Sequence, residues 1–359
     1  MSKSIVGTVS FFVLAFSCPV LWASPADYAV GAFYYQKGRS GQPGWKDIRG
    51  AAGSRSPGMP WPDREPLLGF YTGEEPAVAE KHIEWASRYG IRFFAYDWQW
   101  NVDRPLQERA LKNYLTASNR SKLQFCLLWS YPAADFAGNR EFDAMVSYWI
   151  GQYFDQPTYY RIKGKPVVFL AAPHLAELEV RKFGATVADL LARARRLADE
   201  RGTGGIYFVL TTDEKPCSDL EQRVYALGFD AYTGRNYAEG RGARIADYDR
   251  MVDEYIAGYR AAAAAGRRIP YLAIASPGRD ERPGAGGAAI VMNNPSPAKF
   301  ERMLRGAKQL LDAPGDGPKV LMIEAWNDFD QGAFIEPTRK WGVRYLESIR
   351  KVLGISASQ

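Results

Sequence analysis

The densest set of chemically competent side chains lies near the C-terminus. There Trp326, Asn327, Asp328, Phe329, Asp330, Gln331 and Gly332 are followed by Glu336 and Pro337. The residues just before, Val320 to Ile323, are all apolar. An apolar run that opens into carboxylates, amides and indoles fits a buried parallel strand whose C-terminal end reaches a carbohydrate site. Carboxylates move protons, amides bind hydroxyls, and aromatic faces stack on sugar rings. Asp328 and Asp330 are two residues apart, roughly 6–7 Å in an extended chain. Retaining glycosidases place their carboxyls about 5–5.5 Å apart and inverting ones about 6.5–9.5 Å, so the spacing admits either outcome. Alternation along the strand would put Glu324 and Trp326 on the Asp328 face. Glu324 would then lie roughly 13 Å deeper, as a carboxylate satisfied within the core.

Such a strand needs partners, and eight continuous apolar runs supply them, at 29–35, 91–98, 123–129, 166–171, 205–211, 229–233, 270–275 and 320–326. Continuous rather than alternating runs imply burial on both faces. Helical patterns fall between them at 75–89, 104–118, 140–154, 186–201, 217–227, 246–265, 297–312 and 339–353, with Ser296 as a cap and Pro297 in the first turn of the seventh. Eight βα units predict an α/β fold, a single-domain (β/α)8 barrel. The first strand leads to Tyr34 and Tyr35 rather than to a Gly-rich phosphate turn, which disfavours a doubly wound sheet.

In such a barrel the site lies at the C-terminal strand ends. Reading those ends gives Tyr34 and Tyr35, then Asp97, Trp98 and Trp100, then Trp129 and Tyr131, then His174. The later strands give Thr211, Thr212 and Asp213, then Tyr232 and Asn236, then Arg279 and Asp280, then the C-terminal set. Acids with indoles point to glycoside chemistry. Asp328, Asp330 and Gln331 are the catalytic candidates. Tyr34, Tyr35, Asp97, Trp98, Trp129, Asp213, Tyr232, Asn236, Trp326, Asn327 and Glu336 are the substrate-binding candidates. For Tyr35 and Trp129 the choice between sugar platform and core stays open, as does that between sugar contact and turn cap for Asp97.

The 359 residues are 47% hydrophobic and 24% charged, an ordinary globular balance. The net charge of +6 is scattered, which speaks against nucleic acid. Lys3, an apolar stretch from Ile5 to Leu21 and Ala23 form the outline of an export signal, so residues 1–23 are expected to leave a mature barrel of 24–359, secreted or periplasmic and monomeric. Cys18 loosely fits a lipidation site, but Phe16 fits it poorly, and no lipid anchor is expected. No later segment is long and apolar enough for a membrane span. Cys126 and Cys217 then remain, and their pairing is left open. With two His in the chain and no Cys cluster, neither a metal nor an organic cofactor is implied. The expected partner is a polysaccharide or oligosaccharide.

The run Trp326 to Gly332 with Ile335, Glu336, Pro337 and Thr338 resembles the strand-eight signature of the glycoside hydrolase family 71/99-like barrels, shared by the WbsX-like proteins of polysaccharide gene clusters. Gly31–Tyr35, Gly69–Tyr71, Gly90–Trp98, Tyr160–Val168, Pro277–Arg282 and Asn294–Phe300 agree in order. The resemblance implies an endo-type hydrolase of α-linked glycans, with two carboxylates three residues apart. One assists the sugar's 2-hydroxyl and falls on Asp328. The other, the general acid/base, falls on Gln331, whose amide can neither give nor take the proton. Either Asp330 takes the acid role, or Glu336, Asp97 or Asp213 reaches in, or the chain binds glycans without cutting them.

Overall fold

The structure, a computed structural model, describes residues 28–36, 45, 48, 64–71, 75–101, 103–130, 138–171, 184–235, 237, 245–265, 268–285 and 289–354. The expected export signal with Cys18, and the site candidates Tyr131, His174 and Asn236, lie outside the described residues. So does most of the first long loop.

Eight parallel strands close on themselves. They are β1 (Ala29–Tyr34), β2 (Phe93–Trp98), β3 (Gln124–Ser130), β4 (Lys165–Ala171), β5 (Tyr207–Thr212), β6 (Ala231–Gly234), β7 (Tyr271–Ala275) and β8 (Val320–Ile323). Each pairs with its neighbours in sequence, and β8 pairs back onto β1 to complete the ring. The helices between them are α1 (Pro76–Arg88), α2 (Arg109–Thr116), α3 (Asn139–Trp149), α4 (Val187–Glu200), α5 (Ser218–Ala226), α6 (Tyr248–Ala264) and α7 (Pro297–Asp312), with α8 (Arg344–Leu353) after β8. The expected (β/α)8 barrel is therefore present. All eight strands are almost wholly buried, which is why they read as continuous apolar runs.

Local signals set the element ends. The Ser296 hydroxyl accepts from the Lys299 amide, with Pro297 in the first turn, as expected. Thr186 and Asp189 form a reciprocal capping box at the start of α4. Several expected boundaries differ, and α8, like α2, starts five residues late. For α2 the reason is that Arg104–Pro105 instead pairs antiparallel with Trp100–Asn101. α3 passes into a π-helical turn over Ile150–Phe154. β8 stops at Ile323 rather than Trp326, and that early stop shapes the site.

Alternation divides the strand residues between two layers. Gly31 and Phe33 of β1 share the lumen with Phe93 of β2 and Phe169 of β4, where Phe33 and Phe169 meet edge to face at 5.4 Å. Tyr34, Phe94 and Tyr96 face outward onto His82 of α1 and Tyr114 of α2. Carried along the paired registers, the lumen face reaches the barrel mouth as Tyr35, Asp97, Ser130, Asp213, Arg235, Ser276 and Glu324.

The ring of Phe93 covers the bare Cα of Gly31, so a methyl group there would overlap it. Gly31→Ala is expected to destabilise the fold by about 1–3 kcal/mol, as overpacking of a full core does. A melt unchanged from wild type would show that the lumen has slack.

Candidate active site

The mouth cluster centres on Tyr35. Burial raises its phenol well above the usual range. The charges of Asp328, Asp97 and Glu324 raise it further, and Arg235 opposes them. A single ring thus feels carboxylates from β2, from the end of β8 and from the turn beyond it. Each is tethered. The Ser130 hydroxyl donates to Asp97 Oδ1, and Gln99 Nε2 donates to Ser130 Oγ at 3.1 Å. Arg235 grips Asp213 with two bonds, Nε to Oδ1 at 3.1 Å and Nη2 to Oδ2 at 2.9 Å.

Glu324 follows β8 directly and is 5% exposed. Its Oε1 lies 3.6 Å from Arg279 Nη1, while its Oε2 is buried without a hydrogen-bond partner. Burial pushes its carboxyl up to about 7, against the pull of Arg279 and the Ser276 hydroxyl and with help from Asp328. Arg279 is also shared with Glu281, which dilutes its hold on Glu324. The expectation of a satisfied core carboxylate is thus corrected. Glu324 is a half-satisfied acid at the lumen's upper end, and such groups stay protonated to higher pH.

The turn after β8 is held from three sides. Asn327 mimics a peptide: its Oδ1 accepts from Tyr35 N and its Nδ2 donates to Tyr35 O, both at 2.9 Å. Buried Arg64 donates to the carbonyls of Phe329 (2.9 Å) and Asp280 (2.8 Å), and also pairs with the Asp280 carboxylate. Asp280 N donates to Gln331 O, so the backbones touch at Gly332, where φ is +70° and a side chain would strike Asp280 N. Asp328 and Asp330 remain partly exposed on this turn, whereas Gln331 is exposed.

The structure brings Tyr35, Asp97, Asp213 and Asp328 to one mouth, with Asp330 on the adjoining turn. It takes other expected residues elsewhere. Trp98 packs on Trp149 and Tyr153 and donates to the Tyr153 hydroxyl, and Trp129 packs on Phe142 and Trp149, so both indoles fill the layer between barrel and helices. Tyr34 donates to or accepts from His82 in the same layer, and Tyr232 bonds Glu221 of α5. Trp326 packs on His82 and Phe94, because the chain turns after Ile323 and breaks the alternation that would have kept it beside Glu324. Glu336 is buried 3.2 Å from His82 Nε2 and accepts from the Tyr71 hydroxyl at 2.7 Å, so it anchors the returning chain to α1. Cys126 is buried in β3 and Cys217 is exposed before α5; the two are not bonded. Glu324, Arg235 and the lumen side of Arg279 were not read as one charged set. The signal available for Arg235 and Glu324 was their place on the strand face that carries Asp97; Arg279 lies in the loop beyond β7, off that face.

A separate cavity of about 450 Å³ opens at the opposite end of the barrel, between Lys163, Tyr271, Leu310 and Lys319. It is remote from the carboxylates. Among the described residues no His, Cys, Asp and Glu group is arranged to hold a metal ion, and no helix is long and apolar enough to cross a membrane.

Glu324 gives the mouth a pH signature. Folded, it holds its proton to about 7; unfolded, it releases it near 4.5. Unfolding therefore releases a proton between these values, and stability falls as pH rises through that window. At about 1.4 kcal/mol per pH unit, the loss reaches up to about 3 kcal/mol. Glu324→Gln should remove this slope in melts taken from pH 4.5 to 8. An identical slope in the variant would contradict the assignment.

A family model described as Glycosyltransferase WbsX matches residues 45–349. The uncharacterized protein WxcX of Xanthomonas campestris pv. campestris is 24% identical over 312 residues, covering 80% of this chain and 42% of that protein. The chain thus spans about two-fifths of the length of the curated relatives it matches. Among solved structures, the glycoside hydrolase family 99 endo-alpha-mannosidase from Bacteroides thetaiotaomicron, in complex with bis-tris propane, superposes with a TM-score of 0.64 at 16% identity, covering 91% of this chain and 95% of that one. A glycoside hydrolase-like protein superposes with a TM-score of 0.65 at 15% identity, covering 93% and 96%. At such identities the likeness is one of fold. The barrel, its C-terminal acid cluster and the match along most of the sequence lead to one assignment: the chain belongs to the family described as WbsX glycosyltransferases.

Proposed function

We propose that this chain is a glycoside hydrolase that cleaves within an α-linked polysaccharide, working outside the cytoplasm as a mature barrel of residues 24–359. The observation that carries the reading is the convergence of Asp97, Asp328 and Glu324 on Tyr35 at the C-terminal end of a closed barrel. Glycosidic cleavage needs one carboxylate to assist the attacking oxygen and one carboxylic acid to protonate the leaving oxygen. Asp328, partly exposed on a turn held by Asn327 and Arg64, suits the first role. Gln331 cannot fill the second, because an amide does not transfer a proton at neutral pH. Asp330 on the same turn and Glu324 beneath it are the acids at hand. Arg235 and Asp213 present a fixed charged pair to sugar hydroxyls. The endo-alpha-mannosidase named in the fold comparison supports an α-mannoside-like substrate class.

A second reading, glycan binding without cleavage, is favoured by Gln331 alone. One experiment separates the two. The mature protein is incubated with a panel of α-mannans and envelope polysaccharides, with and without acceptor oligosaccharides, and scored for release, transfer and binding. Wild type is expected to release oligosaccharides. Asp328→Asn should lower the rate by about 10²–10⁴-fold, the usual worth of a proton-transfer group, with affinity kept within a few-fold. Gln331→Glu should change the rate by less than about fivefold, since its side chain is exposed at the loop tip. Tight binding without release or transfer, unaltered in both variants, would replace the hydrolase with a glycan-binding protein.

A further inference from the structure

We infer that Glu324 is the acid of this site, the carboxyl that hands its proton to the departing glycan oxygen. The inference rests on the hydrolase reading and supplies the group that reading lacks.

The argument begins with position. Glu324 is on the lumen face of the strand path, two residues beyond Met322, level with Phe33 and Ser276 and one lumen position beneath Tyr35. It lies close enough to Asp328 for each to feel the other's charge, and both act on the Tyr35 ring. An apolar strand end normally closes with an apolar side chain. A carboxyl there costs stability unless both oxygens find partners. One oxygen faces Arg279; the other, Oε2, is buried and makes no hydrogen bond. A group retained at such a cost, in the wall of the mouth, has the marks of a functional acid.

The surroundings then decide its protonation. From β7 and its loop, Arg279 and Ser276 favour the carboxylate, but Arg279 is also drawn to Glu281. From the end of β6, Arg235 acts weakly in the same direction, with its charge already matched by Asp213. Asp328 acts against ionisation. Tyr248 and Tyr255 of α6 and Tyr35, just beyond β1, lie within electrostatic reach of it as neutral phenols, each held well above its usual range by burial. Burial outweighs the arginines, so near neutral pH Glu324 is poised between acid and carboxylate. That is the condition for efficient proton transfer in both directions.

The step balances. The Glu324 proton passes to the glycosidic oxygen as the C1–O bond breaks, and the leaving chain departs as an alcohol. The attacking oxygen, from water or the sugar's own 2-hydroxyl, bonds to C1 and gives its proton to Asp328. In a two-stage reaction Glu324, now a carboxylate, takes a proton from the incoming water as its oxygen bonds to C1, while the C1–O2 bond breaks and Asp328 returns its proton to O2. In a single-stage reaction the two groups return to their starting states through solvent.

The test compares wild type, Glu324→Gln, Glu324→Asp and Asp330→Asn on an unactivated α-glycan and on aryl glycosides with good leaving groups, across pH 5 to 9. Melting curves confirm that each variant is folded. Wild-type kcat/KM on the unactivated glycan should fall on the alkaline side with a midpoint near 7. Glu324→Gln should lose about 10²–10⁴-fold there, lose the alkaline limb, and keep turnover of the best aryl glycosides within about tenfold. Glu324→Asp should keep part of the activity with a shifted limb. If Glu324→Gln keeps wild-type turnover and limb while Asp330→Asn shows the leaving-group pattern, Asp330 is the acid and the inference falls alone. If wild type cleaves neither substrate type, the hydrolase reading falls and takes the inference with it.

Discussion

The site depends on the side chain of Asn327 completing a ladder that the backbone abandons. β8 ends early at Ile323, yet Glu324 N still bonds Ala275 O of β7 and Trp326 N still bonds Phe33 O of β1. One residue on, the Asn327 amide takes both polar groups of Tyr35, so the sheet continues through a side chain. This bond pair sets how far the chain may turn while staying anchored to β1. It brings Asp328 within electrostatic reach of Tyr35, sends Trp326 outward, and leaves Glu324 in the lumen. An aspartate at 327 would set a carboxylate oxygen against the Tyr35 carbonyl, and an alanine would leave two backbone groups unpaired.

Around that junction the structure adds supports that never reach the lumen. Arg64 and Asp280 clamp the tip of the turn, and Gly332 lets the turn's backbone meet that of Asp280. Glu336, His82 and Tyr71 tie the returning chain to α1. The division of labour is clear in the chemistry of the carboxyls. Asp280 is committed to Arg64 and Arg282, and Glu336 to Tyr71 beside His82, whereas Glu324 has a raised proton affinity. Positioning groups need satisfied geometry; a proton-transfer group needs two accessible states.

The barrel was legible because burial on both faces makes each strand a continuous apolar run, and helical periodicity fills the gaps. Asp97, Asp213, Asp328 and Tyr35 were legible for a related reason, since strand ends in a closed barrel face one mouth. Trp98 and Trp129 were not, because a strand-end indole looks the same in sequence whether it faces sugar or a helix. Only the registers, which tie Trp98 to Trp129 and Asp97 to Leu128, separate the two layers. Glu324 escaped for another reason. Its reading assumed a straight strand to Asp328, and the turn after Ile323 depends on tertiary bonds from Asn327 and Arg64 that no local pattern announces.

The central claim is that the glycan is bound and cut at the C-terminal mouth, over Tyr35, between Asp328 and Glu324. A crystal structure of the Asp328→Asn protein with an α-linked oligosaccharide tests it directly. The account predicts one sugar ring against Tyr35, its glycosidic oxygen within hydrogen-bond distance of Glu324 and its attacking face toward residue 328. Glycan seated instead at the other end of the barrel, in the cavity between Lys163, Tyr271 and Lys319, with an empty mouth, would contradict it.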